Sequence, residues 1–252
     1  MVDVTAYLGQ NIKEKRIVIT GGTTGIGKAI ADVLVSLGGR VLIFGRDPDD
    51  FKQAFDDIKE KFPDSELYGA SADITNEKDV KRIWKTIDKD LGGIDILINN
   101  AALAGDGLTN GTPKEWQYII DTNVMGYLTF SYEAVERMKK QKSGHIINIG
   151  SMSADTQEET GTIYVATKAA IRGFSTALRK EINPLGIKLS LIEPGSVISE
   201  IHPMTKTVQR NKIKKMEMLE AEDVAMSVLF CLSQPQRCDI VSLKIRPHLQ
   251  LI

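Results

Sequence analysis

The sequence predicts an α/β protein whose parallel sheet is covered by helices on both faces. Short apolar or β-branched runs recur along the 252 residues, and a segment of helical length separates most neighbouring runs. Strands that alternate with helices form right-handed crossover units, which build a parallel sheet. Several runs are apolar at almost every position, as strands buried on both faces require. We therefore expect a doubly wound, Rossmann-type three-layer sandwich, formed by a single domain that spans residues 1–252.

Each element is predicted from the spacing of its apolar residues. The predicted strands are 17–20, 41–44, 66–72, 94–99, 145–151, 187–193 and 241–246. The predicted helices are 26–37, a segment from about 49 that carries Phe51, Phe55, Ile58 and Phe62, then 77–91, 115–125, 127–140, 163–181 and 221–232. Gly38 and Gly39 end the first helix, and the acidic residues and proline of 47–50 favour the start of the second. The basic segment 201–218 has no clear strand, so we expect a substrate flap at about 200–218.

Charge and composition exclude several classes of function. Lys and Arg number 32 against 33 Asp and Glu, for a net charge of −1, whereas a nucleic-acid binder usually carries a basic surface. No run reaches the ~18 apolar residues of a membrane helix, and no secretory signal is visible. The two cysteines, Cys231 and Cys238, match no metal or redox motif. We expect a cytoplasmic protein that binds neither nucleic acid nor membrane and has no metal ligands.

A glycine-rich turn joins the first strand to the first helix. Glycines allow a tight turn and let a phosphate approach the backbone, and the helix N-terminus behind them favours an anion. The candidate cofactor-binding residues of this turn are Thr20, Gly21, Thr23, Thr24, Gly25, Ile26 and Gly27. An alternative is the P-loop of a nucleoside triphosphatase, because Gly22 is followed by Gly27 and Lys28. That motif then needs a Ser or Thr to bind Mg²⁺, and the sequence has Ala29.

The end of the second predicted strand bears on the choice of nicotinamide cofactor. An acidic residue there binds the ribose hydroxyls of NAD, whereas a cation accommodates the 2′-phosphate of NADP. Here the acidic position is Gly45, and Arg46 follows it. The sequence therefore favours NADP(H) over NAD(H). The alternative reading is that Arg46 is a solvated residue weakened as a phosphate ligand by Asp47, which leaves NAD(H) open.

Tyr164 and Lys168 lie four residues apart on a predicted helix and share one face. An ammonium beside a phenol lowers the phenol pKa, and moving that pKa from ~10 to ~7 takes about 4 kcal/mol. Such a phenol can exchange a proton with a carbonyl or alcohol oxygen. Ser151 follows a predicted strand, and strand ends in parallel sheets face the ligand crevice. A Ser-His-Asp hydrolase is disfavoured because Ser151 is not in a Gly-x-Ser-x-Gly turn.

From Thr20 to Pro194-Gly195, the order and spacing of these motifs resemble the short-chain dehydrogenase/reductase family. The family's Thr-Gly-x3-Gly-x-Gly motif is matched from Thr20 to Gly27, and the resemblance implies a catalytic tetrad of Asn123, Ser151, Tyr164 and Lys168. It implies further cofactor contacts at Asp73, Ile74, Asn99, Ala101, Tyr164, Lys168, Pro194, Gly195, Val197 and Ser199. Of these, the resemblance places Asp73 at the adenine, Asn99 as a support of the sheet, and residues 194–199 beside the nicotinamide.

The resemblance implies hydride transfer between NADP(H) and a carbonyl or secondary alcohol of a small molecule, with Tyr164 as acid/base. Ser151 would polarise the carbonyl, Lys168 would hold the nicotinamide ribose, and Asn123 would position Lys168 through an ordered water. The alternative is a non-catalytic NADP(H)-binding sensor, which would usually lack one of these residues.

Helices 115–125 and 127–140 resemble the pair through which family members form homodimers or homotetramers, although their apolar residues could equally cover the sheet. The sequence departs from the family at Ala102, where glycine is usual. The tail 242–250 resembles that of a subgroup acting on small hydroxy acids. Of the histidines, His202 lies in the predicted flap, where it is a candidate substrate contact. His145 and His248 are expected to be structural or exposed.

Overall fold

Seven parallel strands form one sheet in the computed structural model, which describes residues 12–105, 107–159, 161–199 and 204–250. The order across the sheet is β3-β2-β1-β4-β5-β6-β7, and each neighbouring pair is parallel. The strands are β1 (Arg16–Thr20), β2 (Arg40–Gly45), β3 (Leu67–Ser71), β4 (Ile96–Asn99), β5 (Gly144–Ile149), β6 (Ile187–Pro194) and β7 (Ser242–Ile245). The predicted doubly wound α/β fold is therefore confirmed.

Helices cover both faces of the sheet. They are α1 (Gly25–Ser36), α2 (Pro48–Lys61), α3 (Glu77–Thr86), α4 (Pro113–Ile120), α5 (Gly126–Gln141), α6 (Ser153–Thr156), α7 (Thr162–Ile182), α8 (Lys206–Lys214) and α9 (Ala221–Leu232). On one face, Ile30 and Leu34 of α1 pack with Val224 and Val228 of α9. On the other, Phe130 of α5 packs with residues of α3 and the sheet. The first layer also holds apolar residues of α2, and the second holds apolar residues of α7.

The sheet places a crevice at the carboxyl ends of its central strands. β2, the next strand along the chain, pairs with one side of β1, and β4 pairs with the other side. In open α/β sheets, ligands bind where the strand order reverses in this way. Thr20, Asn99, Ile149 and Pro194 end β1, β4, β5 and β6, so all four lie along this edge.

The structure refines several of the predicted boundaries. The predicted helices 77–91 and 115–125 each end in a π-helical turn, Ile87–Leu91 and Asp121–Met125. The predicted flap contains a helix, α8, and residues 200–203, with His202 among them, lie outside the described residues. Within the described ranges, no helix is both long enough and apolar enough to cross a membrane.

Candidate active site

The glycine turn between β1 and α1 leaves room for a ligand above its backbone. Gly21 and Gly25 have φ values of +62° and +49°. A Cβ on Gly27 would lie 2.0 Å from the Gly21 carbonyl oxygen, so only glycine fits there. A Cβ on Gly25 would instead meet nothing nearer than the Ser199 Cβ, at 3.9 Å. Thr24 gives α1 no side-chain cap and its first turn has no acidic residue, so its free N–H groups suit an anion such as a pyrophosphate.

Asn100 holds this turn in place, a role that the sequence did not reveal. Its Nδ2 donates to the Thr20 carbonyl at 3.1 Å and to the Gly21 carbonyl at 2.9 Å. The Thr20 hydroxyl in turn accepts the backbone N–H groups of Asn100, at 2.9 Å, and of Ala101, at 3.0 Å. The sequence had pointed to Asn99 and Ala101 on either side. The end of β4 therefore fixes the end of β1 through four hydrogen bonds.

Asn99 faces the interior beneath the sheet edge. Its Nδ2 donates to Ser131 Oγ at 3.0 Å and to Asn148 Oδ1 at 2.9 Å. Asn148 Nδ2 continues the series to Ser175 Oγ at 2.9 Å. This buried polar chain links β4 and β5 to α5 and α7.

At the end of β2, Arg46, Tyr118 and Asp73 form a hydrogen-bonded chain. Arg46 Nη1 donates to the Tyr118 hydroxyl at 2.9 Å, and that hydroxyl donates to Asp73 Oδ2 at 2.7 Å. Thr75 donates both its backbone N–H and its hydroxyl to Asp73 Oδ1. Burial raises the pKa of Asp73, but these hydrogen bonds outweigh burial and hold it below its ordinary value. Tyr118, on α4, had not been singled out from the sequence, and Ile74 is buried beside this chain.

Thr23 explains why position 45 is a glycine. A Cβ on Gly45 would lie 2.2 Å from Thr23 Oγ1 and 2.9 Å from its Cγ2. Thr23 is itself buried in the glycine turn. The space in which an acidic side chain at position 45 would begin is therefore already filled.

Ser151, Tyr164 and Lys168 meet beside the carboxyl end of β5. Ser151 follows that strand, and α7 carries the other two residues one helical turn apart. The Ser151 hydroxyl lies near enough to the Tyr164 phenol to lower its pKa, and it accepts the Ser153 N–H at 3.1 Å. Lys168 Nζ lies 5.5 Å from the centre of the Tyr164 ring and donates to the Ile149 carbonyl at 3.0 Å. Tyr127 donates to the same carbonyl at 3.0 Å.

The electrostatics of this cluster differ from the sequence-based expectation in one respect. The Lys168 side chain is almost fully buried, and this desolvation lowers its pKa to about 8. Burial raises the pKa of Tyr164 above its ordinary value, the Ser151 hydrogen bond opposes this, and the charge of Glu158 adds to it. The expected depression of the Tyr164 pKa is therefore absent, because Lys168 directs its Nζ to the Ile149 carbonyl and desolvation of the phenol dominates.

Asn123 lies in the π-helical turn between α4 and α5 and is fully buried. Its Oδ1 accepts the Leu103 N–H at 2.7 Å, and its Nδ2 donates to the Leu103 carbonyl at 2.8 Å and to Thr167 Oγ1 at 3.2 Å. The side chain thus ties the loop after β4 to α7, one residue before Lys168.

The segment from Pro194 to Ser199 leads from the end of β6 to the glycine turn. Gly195 N–H donates to the Ile245 carbonyl at 2.7 Å, and Val197 is buried in a short parallel bridge with Leu219. Ser199 exchanges two hydrogen bonds with the buried amide of Gln209 on α8. The predicted cofactor residues at both ends of this crevice are therefore brought to one edge of the sheet.

The histidines in the described part of the chain have no place in this cluster. His145 is buried with its Nε2 2.9 Å from Ser190 Oγ, and burial lowers its pKa to about 3, so it is neutral. His248 is exposed near the C-terminus. Among the described residues, no three His, Cys, Asp or Glu side chains are grouped to hold a metal ion.

A family model described as short chain dehydrogenase matches residues 15–211. The chain belongs to the short-chain dehydrogenase family. This dehydrogenase is 33% identical over 237 residues to an uncharacterized oxidoreductase of Staphylococcus aureus, covering 94% of the chain and 98% of the relative. A counterpart in Staphylococcus epidermidis is also 33% identical over 237 residues, with the same coverage. The protein is thus an oxidoreductase of the dehydrogenase/reductase class.

Among solved structures, this short-chain dehydrogenase is similar to a metagenomic short-chain oxidoreductase in complex with NADP. The TM-score is 0.80 at 26% identity, over 96% of this chain and all of the other. The similarity extends over nearly the whole Rossmann-type sheet and its helices.

Proposed function

We propose that this short-chain dehydrogenase transfers hydride between NADP(H) and a carbonyl or secondary alcohol of a small molecule, with Tyr164 as the acid/base. The observation that carries the proposal is the meeting of the Ser151 hydroxyl, the Tyr164 phenol and the Lys168 ammonium at the ligand edge of the sheet. When bound, the nicotinamide supplies or accepts the hydride. The chain itself has to bind the cofactor, orient the substrate oxygen and move one proton.

In the reductive direction, Ser151 donates a hydrogen bond to the substrate carbonyl oxygen and Tyr164 donates the proton to it. The resulting phenolate is stabilised by the Lys168 ammonium, which at pH 7 is mostly charged because its pKa is about 8. The low local dielectric favours this attraction, but desolvation of the phenol outweighs it, so the Tyr164 pKa stays above its ordinary value. Asn123 holds α7 in place at Thr167, beside Lys168.

Three groups of residues would hold the cofactor. The glycine turn, with Thr20, Gly21, Thr24, Gly25, Ile26 and Gly27, would bind the pyrophosphate through its backbone N–H groups. Asp73 and Ile74 would meet the adenine, while Asn99 and Ala101 support the turn from β4. Pro194, Gly195, Val197, Ser199 and Lys168 would hold the nicotinamide end. The open space above Gly25 and the uncapped start of α1 support this placement.

A preference for NADP(H) over NAD(H) is supported by two features of the β2 end. Thr23 fills the space that an acidic side chain at Gly45 would need. Arg46 is held beside that position by Tyr118 and carries the positive charge that a 2′-phosphate requires. The similar metagenomic oxidoreductase was solved with NADP, in line with this preference.

We also infer that the protein is a homodimer or homotetramer. Tyr132 on α5 is 65% exposed and Met125, just before it, is 49% exposed, so neither covers the sheet. The two residues are seven positions apart in consecutive helical segments and so share a face, and an exposed apolar patch on such a face marks an interaction surface. Size-exclusion chromatography with light scattering tests this inference, and a monomer at working concentration would contradict it.

The proposed chemistry is tested by Tyr164→Phe. We expect turnover to fall by roughly 10²- to 10⁴-fold, the usual contribution of a positioned acid/base, while the Kd for NADPH stays within about twofold of wild type. Tyr68→Phe is the matched control and should retain activity, because the Tyr68 hydroxyl bonds Glu66 near the amino end of β3, away from the proposed site. Substrates come from an NADP⁺- and NAD⁺-linked screen of hydroxy acids, sugar alcohols, steroids and acyl thioesters.

Each outcome of these measurements has a distinct meaning. Turnover that survives in Tyr164→Phe would refute the proton-donor role. Stoichiometric NADPH binding without oxidation of any substrate would favour the sensor alternative. A decisive preference for NAD⁺ would overturn the argument from Gly45 and Arg46.

A further inference from the structure

The C-terminal tail, residues 246–250, crosses the base of the excursion that carries α8. The chain enters this excursion along an outgoing leg, residues 196–199, and leaves it along a return leg, residues 216–219. The two legs are hydrogen-bonded to each other: Ile198 N–H donates to the Leu219 carbonyl at 2.9 Å, and Leu219 N–H to the Ser196 carbonyl at 2.8 Å. The legs therefore form a paired base beneath α8.

The tail makes one hydrogen bond to each leg. Gln250 Oε1 accepts the backbone N–H of Ser196, on the outgoing leg, at 3.0 Å. Leu249 N–H donates to the carbonyl of Met216, on the return leg, at 2.8 Å. Two adjacent residues of the tail thus hydrogen-bond to the two legs, and the contact made by the Gln250 side chain lies next to Gly195.

Gly195 is shaped to receive the Gln250 side chain. A Cβ at position 195 would lie 2.2 Å from Gln250 Oε1 and 3.1 Å from the Cβ of Arg246. The absence of a side chain at Gly195 therefore lets the amide reach the backbone of the turn. From the other side, the Gly195 N–H is bound by the Ile245 carbonyl.

The tail has its own internal support. Gln250 N–H donates to the Pro247 carbonyl at 3.2 Å, and the Gln250 carbonyl accepts Arg246 Nη1 at 3.1 Å. These bonds close a turn that begins directly after β7. The position of the Gln250 amide is consequently set by the sheet through β7, rather than by the legs that it binds.

We propose that Gln250 is a positioning residue that fixes the Gly195–Ser196 turn and, through it, the base of α8. The inference rests on the proposed function, in which Gly195 meets the nicotinamide end of the cofactor. A turn that already has its binding geometry in the free protein binds the ligand without losing conformational entropy on binding. Losing the Gln250 oxygen leaves the Ser196 N–H without this acceptor and removes one of the two hydrogen bonds between the tail and the legs.

Two substitutions separate the hydrogen bond from the bulk of the side chain. Gln250→Glu keeps an acceptor oxygen at the same reach, whereas Gln250→Met keeps the length and loses the acceptor. Gln236→Met is the matched control, because Gln236 is an exposed glutamine that bonds only one backbone carbonyl, that of Gly186, among its described contacts. Thermal unfolding of all four proteins verifies that each variant is folded.

The first readout needs no cofactor. The α8 excursion offers trypsin several basic residues, namely Lys206, Arg210, Lys212, Lys214 and Lys215. Cleavage of a transiently opened segment follows the population of the open form. Since a hydrogen bond contributes about 0.5–1.5 kcal/mol, Gln250→Met should raise the cleavage rate at these sites roughly two- to tenfold, measured by peptide-resolved mass spectrometry. Gln250→Glu and Gln236→Met should cleave at the wild-type rate.

The second readout is the Kd for NADPH, measured by titrating the reduced cofactor's fluorescence. It should rise in Gln250→Met by a factor similar to that of the cleavage rate, and Gln250→Glu should restore it. Equal cleavage rates in all four proteins would overturn the inference. Faster cleavage with an unchanged Kd would also overturn it, since the turn would then have no bearing on the cofactor. If wild-type protein does not bind NADPH, the proposed function fails instead, and the cleavage comparison still decides whether Gln250 fastens the legs.

Discussion

Lys168 places an ammonium group where almost no solvent reaches it. The residue is 2% exposed, and burial lowers its pKa from the ordinary 10.5 to about 8. A shift of this size corresponds to about 3 kcal/mol of destabilisation of the charged folded state. Replacing Lys168 by Met removes the charge, keeps a flexible apolar side chain, and gives up one hydrogen bond to the Ile149 carbonyl, of about 1 kcal/mol. That carbonyl keeps Tyr127 as a donor.

Lys168→Met should therefore be more stable than wild type at pH 7, by about 2 kcal/mol, or roughly 4–8 °C in Tm for a chain of this size. The folded-state pKa lies below the unfolded-state value, so the unfolded chain binds more protons between pH 8 and 10.5. Wild-type stability consequently gains on the variant as pH rises through that window, and the difference shrinks towards zero or reverses.

Urea unfolding of both proteins at pH 7, 9 and 10.5 measures this difference, since other titrating groups cancel between them. Lys180→Met, at an exposed position of the same helix, is the control and should show neither the gain nor its pH dependence. The reasoning is refuted if Lys168→Met is less stable than wild type at pH 7. It is also refuted if the gap between the two is the same at pH 10.5.

The remaining predictions concern the β2 end. Gly45→Asp should lower the Tm and weaken NADPH binding without creating tight NADH binding, because the new Cβ would contact Thr23. Adding Thr23→Ala should recover part of the lost Tm. Calorimetry of the single and double variants tests this. Tyr118→Phe removes the hydroxyl that separates Arg46 from the Asp73 carboxylate, so the two charges can pair with each other. We expect Tyr118→Phe to weaken NADPH binding by roughly three- to tenfold, which corresponds to about one hydrogen bond, and to weaken NADH binding by a smaller factor. An unchanged ratio of the Kd for NADPH to the Kd for NADH would contradict this.

The sequence predicted the sheet because its strands carry a strong local signal. A strand covered on both faces is apolar along most of its length, as in β1 and β2, whose residues are buried almost throughout. Strand ends were less well predicted. The predicted strand 94–99 begins only at Ile96, although the Asp95 backbone still bonds Arg16 of β1 and His145 of β5.

Contacts between distant parts of the chain account for what the sequence did not predict at the site. Nothing near Asn100 indicates that its amide reaches a turn 80 positions earlier. Tyr118 lies on a helix whose periodicity shows which face is apolar but not which side chain reaches Asp73. The spacing of Tyr164 and Lys168 predicted that they are neighbours, yet the direction of the Tyr164 pKa shift depends on burial that only the folded protein provides.

Several polar groups that are costly to bury lie together at the edge where the cofactor is proposed to bind. Lys168 carries a desolvated charge, and the buried chain through Asn99 and Asn148 leaves Asn99 Oδ1 without a partner among the described residues. An apolar side chain of similar volume at such positions is often neutral or stabilising. The opposite layer, formed around α1 and α9, is built from aliphatic residues. These groups at the carboxyl ends of β4 and β5 cost stability, and a dehydrogenase needs a fixed polar framework and a low-dielectric cation at that place.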